Sequence, residues 1–436
     1  MSGVRGFKRR GGIWSTLVAL SLIVAACGSS SAGSTASPVE KQGDLQIGVF
    51  APFTGSDAFF GPLIMSGCLP AVRLINGSGG VLGHQLKCIS SDSRGDPADA
   101  VPAIRQMLAS NPNLVAMEGL TSDEASATVP LVVKANIVLF DGSGLAEYDH
   151  NTNPYFWRMY PADDVAGYAM ALVASQKGYK RAAAIFGNDT GSQGTLKTVT
   201  KGFQKLGGTI VNTQALALDQ SSYRSEIEKM WSANPDVIFM ELDAQTAAVF
   251  FSQLKQLHSL LPMVGADPTL DSNWFKAVSG AIGAQNVHTY YSGEFPATTT
   301  SGAAWDVYSK AVLATPGEPN PQDSTTNSYT EEFYDSTNIV ALAMLAAKTT
   351  DPTFYNSYIR KVTEASPGAV IVNSFADGKV ALLAGKRIQY AGVVGVLDFN
   401  QWQNAVGGFD IDGYATDGSI VTIGHLTDKD IAQVQS

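Results

Sequence analysis

Residues 113–145 read NLVAMEGLTSDEASATVPLVVKANIVLFDGSGL. Leu114–Gly119 is apolar and strand-like. The stretch after it has helical character, with Val129, Val132 and Val133 at helical spacing. Ile137–Phe140 is β-branched and aromatic and ends in the turn Asp141–Gly144. A strand–helix–strand unit of this kind makes two parallel strands joined by a right-handed crossover. Thr121 and Ser122 stand where the first strand hands over to the helix. A hydroxyl at that place caps the helix or, with free backbone N–H groups, holds an anion. Ligands of open parallel sheets bind beyond the carboxyl ends of the strands, where Ser122 and Ser143 both lie.

The same β-α alternation extends to both sides. Leu45–Phe50 is a strand, and helical spacing runs from Phe59 to Ile75. Gln85–Ile89 is a second strand, and Asp96-Pro97 opens a helix with proline at its first position. The pattern restarts after Tyr155–Arg158. Strands are expected at Arg181–Phe186, Thr209–Leu216, Asp236–Met240 and Met263–Gly265, with helices between them. Two tandem β-α units make a doubly wound α/β architecture. Past Val287 the pattern loosens. A strand is expected near His288–Tyr291, helices at Trp305–Leu313, Thr337–Ala347 and Tyr355–Val362, and a Gly/Asp-rich β region after Val393.

The chain begins differently. Arg5, Lys8, Arg9 and Arg10 precede a short apolar run, Ile13–Ala25, that ends in Val24-Ala25-Ala26-Cys27. This is similar to a lipoprotein signal peptide (1–26), with Cys27 as the lipidated first residue. An ordinary secretory signal cut after Ala26 is the other reading. Residues 27–43 open with a Gly/Ser/Thr tract and read as a flexible tether. Removing the four basic residues, with no acid among them, takes the formal charge from −10 to −14. An acidic body without a basic run suits neither nucleic acid nor an anionic membrane. Membrane contact is expected through the lipid alone. Cys68 and Cys88 remain as a pair in an exported chain and read as one disulfide, two buried free thiols being the alternative.

Several stretches together resemble a known family. Gly48–Gly55 (GVFAPFTG), Ile75–Gly83 (INGSGGVLG), Asp92 with Asp96-Pro97, Gly119–Ser122 and Gly395-x-x-Asp398-Phe399-Asn400 resemble, in order and spacing, the type I solute-binding proteins of ABC importers. Among these the Leu/Ile/Val binding proteins are the most similar. The resemblance runs from Leu45 to about Asp412. It implies a Venus-flytrap pair of Rossmann-like lobes joined by three hinge crossings, near Arg158, Tyr291 and Val394. Lobe 1 would take residues 44–158 and 291–392, and lobe 2 residues 159–290 and 393–436. It also implies ligand contacts from Ser122 to a carboxylate, from Asp267 to an ammonium, and from Phe60 and Phe333 as apolar walls. Asp267 as a surface turn acid is the alternative at that position. Ser143 and Gly144 would fall in the next loop, Gly144 standing where amino acid binders often have a threonine. In lobe 2, the loops of Asp189 and Asp243 would face the ligand without the aromatic residues usual there.

Enzyme readings find no support. There is no G-x-S-x-G elbow, no H-E-x-x-H and no C-x-x-C, so no catalytic group, metal or cofactor is expected. The expected protein is a monomeric, extracytoplasmic, lipid-anchored binder. It would capture a small solute, an amino acid or related small carboxylate or amide, and deliver it to an ABC permease. A sensor of the same fold, uncoupled from transport, is the alternative.

Overall fold

The structure is a computed structural model that describes residues 37–55, 57–159, 163–297, 300–317 and 324–435. The signal segment 1–26, the lipidation candidate Cys27 and residues 28–36 of the tether lie outside the described residues. The tether is shorter than expected at its far end. Val39 N–H donates to Asp351 Oδ2 at 2.7 Å, and Lys41 N–H to Thr350 Oγ1 at 2.9 Å. Backbone donors with fixed acceptors are part of the folded body, so Val39–Lys41 belong to it.

Two sheets organise the body. The first has the order β2-β1-β3-β4-β5, from β1 (Leu45–Ala51), β2 (Leu86–Asp92), β3 (Leu114–Gly119), β4 (Val138–Asp141) and β5 (Phe156–Arg158). All its pairings are parallel. Every residue of β3 and β4 is buried, as expected of strands covered by helices on both faces. The second sheet is built on β6 (Arg181–Gly187), β7 (Thr209–Leu216), β8 (Val237–Glu241), β9 (Met263–Gly265) and β10 (Tyr291–Pro296). Two later strands complete it, β16 (Phe409–Tyr414) and β17 (Ile420–Leu426), in the order β17-β16-β10-β9-β8-β6-β7. Here β16 runs antiparallel to β10 and to β17.

The late part of the chain departs from expectation. His288, Thr289 and Tyr290 form the last turn of a helix, Ala284–Tyr290, that buries Val287. The strand begins at Tyr291 and pairs with β9 in the second sheet. The chain therefore leaves that sheet after Pro296, not near Tyr291. It then adds the helices Ala303–Leu313 and Ser328–Ala347 to the first lobe's core. A small sheet of β11 (Val370–Val372), β12 (Ile388–Gly392) and β13 (Gly395–Val396) follows, then the ribbon of β14 (Asp398–Phe399) and β15 (Ala405–Val406). The return to the second sheet falls between Val406 and Phe409, later than Val394.

The ribbon sits beside the first crossing. Arg158 N–H donates to Gln403 O at 3.0 Å, and Arg158 Nε to Asn404 Oδ1 at 3.1 Å. Fully buried, Arg158 also meets Asp149 at 2.5 Å and Leu145 O at 3.1 Å. A buried guanidinium needs several acceptors around it to offset its lost hydration. Arg158 thus pins two of the connecting segments together.

The helix Ser328–Ala347 starts earlier than its apolar pattern suggested, because its first half is polar yet buried. Asn327 caps it by accepting from Tyr329 N–H at 3.1 Å. Ser336 and Thr337 donate to Glu118 Oε1 on β3, both at 2.7 Å. It packs so closely on the helix Phe60–Gly77 that a Cβ on Gly67 would meet Thr330 O at 2.6 Å.

Cys68 and Cys88 are joined in a disulfide, linking that first helix to β2 across 20 residues of sequence. A loop of this length stabilises by roughly 3 kcal/mol, chiefly through the unfolded chain. Cys68→Ala/Cys88→Ala should lose stability of that order in denaturant titration. A midpoint equal to the parent's would contradict it.

Candidate functional site

The carboxyl ends of both sheets face one cavity of about 400 Å³. The first lobe contributes Asp57, Phe59 and Phe60 from the segment after β1, Thr121–Asp123 after β3, Gly142 and Gly144 after β4, and Tyr329 from the helix Ser328–Ala347. Asp189 and Gly191 come from the segment after β6, and Glu241–Gln245 from that after β8. Asp267 follows β9, and Trp274 stands on the next helix.

Local geometry explains how these residues arrive there. Asp92 at the end of β2 accepts from Phe53 N–H at 2.8 Å and from the Thr54 hydroxyl at 2.6 Å. Gly61 N–H donates to Pro52 O at 2.9 Å. These bonds fix the segment that carries Asp57 and Phe60. At the end of β3, Gly119 has φ +112°, and a Cβ there would lie 2.4 Å from Phe50 O. Only glycine makes that turn, which delivers Ser122 to the first turn of its helix. Glu124 accepts from Thr121 N–H at 3.0 Å, stabilising the same helix start.

The lobes meet around the cavity. Thr190 N–H donates to Asp123 Oδ1 at 3.1 Å, and Tyr329 Oη–H donates to Asp267 Oδ2 at 3.2 Å. A Cβ built on Gly191 would stand 3.5 Å from the Oγ of Ser122. Each contact joins an element of the first lobe to one of the second.

The structure brings six of the eight sequence-derived residues to the cavity: Phe60, Ser122, Gly144, Asp189, Asp243 and Asp267. Ser143 and Phe333 do not line it. Ser143 is buried, and its hydroxyl turns back to donate to Asp141 Oδ2 at 2.6 Å. Phe333 is fully buried beneath the loop, with its Cζ 3.1 Å from where a Cβ on Gly142 would stand. Tyr329, one helical turn earlier, reaches the cavity instead and meets the Phe60 ring edge-on at 4.9 Å. Sequence reasoning also missed Asp57, Asp123 and Trp274. The Asp123-Glu124 pair directly after Ser122 was the available signal.

Acidic groups dominate the electrostatics. Burial pushes the Asp267 carboxyl up to about 7 against the lowering hydrogen bond from Tyr329. Asp57 also rises to about 7, through burial first and then the like charges of Asp123, Asp189, Glu124 and Asp243. Asp189 and Glu124 are raised by burial as well, against the hydrogen bonds they accept.

Comparison with known proteins decides the class. Residues 44–384 match the profile of a family described as periplasmic binding protein. The chain belongs to the periplasmic binding protein family. Members of this family are substrate-binding proteins rather than enzymes, and they act outside the cytoplasm. An amino acid binding protein of Pseudomonas aeruginosa is 26% identical over 205 residues, which cover 45% of this chain and 53% of that protein. The match thus spans about half the length of that relative. Among solved structures, a leucine binding protein of Thermotoga maritima MSB8 has a TM-score of 0.72 at 17% identity, over 88% of this chain and 99% of its own. A solute binding protein of R. palustris, solved with benzoate, has a TM-score of 0.69 at 17% identity, over 88% and 97%. These likenesses establish the two-lobed type I periplasmic binding protein fold.

The raised Asp57 gives a stability test. Its carboxyl starts from an ordinary value of 3.8 and reaches about 7 in the folded protein. An acid that holds its proton more tightly when folded lowers stability as pH climbs through that window, and the loss is complete above it. Asp57→Asn should therefore raise the thermal midpoint of the unliganded protein at pH 8 and leave it nearly unchanged at about pH 3, below the window, by scanning calorimetry. A lowered midpoint at pH 8 would contradict the assignment.

Proposed function

We propose that the protein is an extracytoplasmic lipoprotein that captures a small solute between its lobes and presents it to the permease of an ABC importer. The observation that carries this reading is the cavity of about 400 Å³ between the lobes, bridged by the Thr190–Asp123 and Tyr329–Asp267 hydrogen bonds. A cavity of that size suits a metabolite and falls within the ordinary range of small-molecule sites. A solute held there touches both lobes at once, so it favours the closed arrangement by contacts that the open one lacks. The relatives described as amino acid and leucine binding proteins support a nitrogen-bearing solute.

On this reading the body would stay at the outer face of the cell membrane through lipid on Cys27. Among the described residues no helix is long and apolar enough to cross a membrane. The lipobox-like Val24-Ala25-Ala26-Cys27 is what supports the anchor.

Two outcomes follow. Cys27→Ala should move the protein from the membrane to the soluble fraction or block its processing, by fractionation and mass measurement of the mature chain. Retention with unchanged mass would contradict lipidation. In small-angle scattering, solute-free protein should be more extended than the same protein given its solute. An unchanged profile on binding would contradict capture by closure.

A further inference from the structure

The cavity wall is charged with one sign. Eight of its lining residues are aspartate or glutamate, and none is lysine, arginine or histidine. Part of that count is structural. Asp189 Oδ1 accepts from Ser192 N–H, and Asp243 Oδ1 accepts from Gln245 and Thr246 N–H, so each caps a helix whose start faces the cleft. Those caps have a chemical consequence. At these helix starts a protein carboxylate already takes the N–H groups that an anionic solute would need.

Other acceptors remain unused. The Asp243 Oδ2 atom is itself buried and has no hydrogen-bond partner among the described residues. Among the described residues the Asp57 carboxylate has no donor either, although it lies within the field of Asp123, Asp189 and Asp243 from both lobes. Asp267 makes a second acidic position, held by Tyr329 and with its N–H on Glu294 at 3.2 Å. It is not among the charges acting most strongly on Asp57. Phe59, Phe60, Tyr329 and Trp274 also line the cavity. Half-buried carboxylates with spare oxygens beside aromatic rings call for a cation. A metal ion does not fit, since no group of three or more possible ligands converges among the described residues.

We propose that the cleft binds an organic dication, a solute with two ammonium or guanidinium groups, one received by Asp57 and Asp243 and the other by Asp267. This deepens the reading of the cleft as the solute site and rests on it. A basic amino acid and a carboxyl-free diamine share this chemistry. They differ only in whether the Ser122 hydroxyl receives a carboxylate.

The test is calorimetric titration of the mature chain, freed of solute, with arginine, agmatine and leucine, each followed by scattering. At least one dication should bind about tenfold or more tightly than leucine, and Asp57→Asn should weaken that dication by about tenfold or more. The thermal midpoint of this variant shows that it is folded. Arginine tighter than agmatine assigns a basic amino acid, and the reverse order a diamine. Leucine binding as tightly as both dications, neither dication binding, or an unchanged dication affinity in Asp57→Asn would overturn the proposal. Leucine binding as tightly as both dications, with compaction, would leave solute capture standing while this inference falls. Binding of any probe without compaction would bring down closure itself.

Discussion

Negative charge brought between two lobes is the constraint on which this structure turns. Taking an unpaired carboxylate out of water costs several kcal/mol even after relaxation. The cleft confines Asp57 and Asp267 to such a place, and both answer by holding their protons up to about 7. The Tyr329 hydroxyl and the Thr190 N–H offset part of this cost by bonding across the cleft. Hydrogen bonds offset only part of it, because no lysine, arginine or histidine lines the cavity to supply a counter-charge. A bound cation would supply what the protein withholds, so binding and closure become one electrostatic event.

The scaffold explains why those charges gather there. A parallel sheet sends every strand's carboxyl end to the same side, and the helix that follows begins there. Helix starts favour aspartate and serine as caps. Two such sheets facing each other therefore converge capping carboxylates on one space, as with Asp189 and Asp243. What goes beyond fold chemistry is Asp57, which caps no helix and sits on a segment fixed by Asp92.

Much of this was legible in the sequence, and the gaps have physical causes. Strands such as Leu114–Gly119 and, after its exposed first residue, Arg181–Gly187 are buried on both faces and read as apolar runs. Ser122 was legible because it stands where an apolar strand hands over to a helix, and in the structure Gly119 makes that turn with a φ of +112°. The serine two residues beyond the next strand looked equivalent, but Ser143 satisfies a buried aspartate within its own loop. Phe333 lay close by in register, yet one turn of helix separates a residue under the loop from Tyr329 in the cavity. The first half of that helix carries Glu331, Glu332 and Asp335, so its burial left no apolar pattern to read. The crossings after Pro296 and Val406 escaped because β10 pairs with β16 far along the chain, and because β14 and β15 are strands too short to show an alternating pattern.

The central claim is that a cationic small molecule completes the closed cleft. Intact-complex mass spectrometry, on protein purified gently from its native cells, tests it most directly. The account predicts one small organic molecule bound per chain, with two basic nitrogens. A bound solute lacking a cationic group, retained in equal stoichiometry, would contradict it.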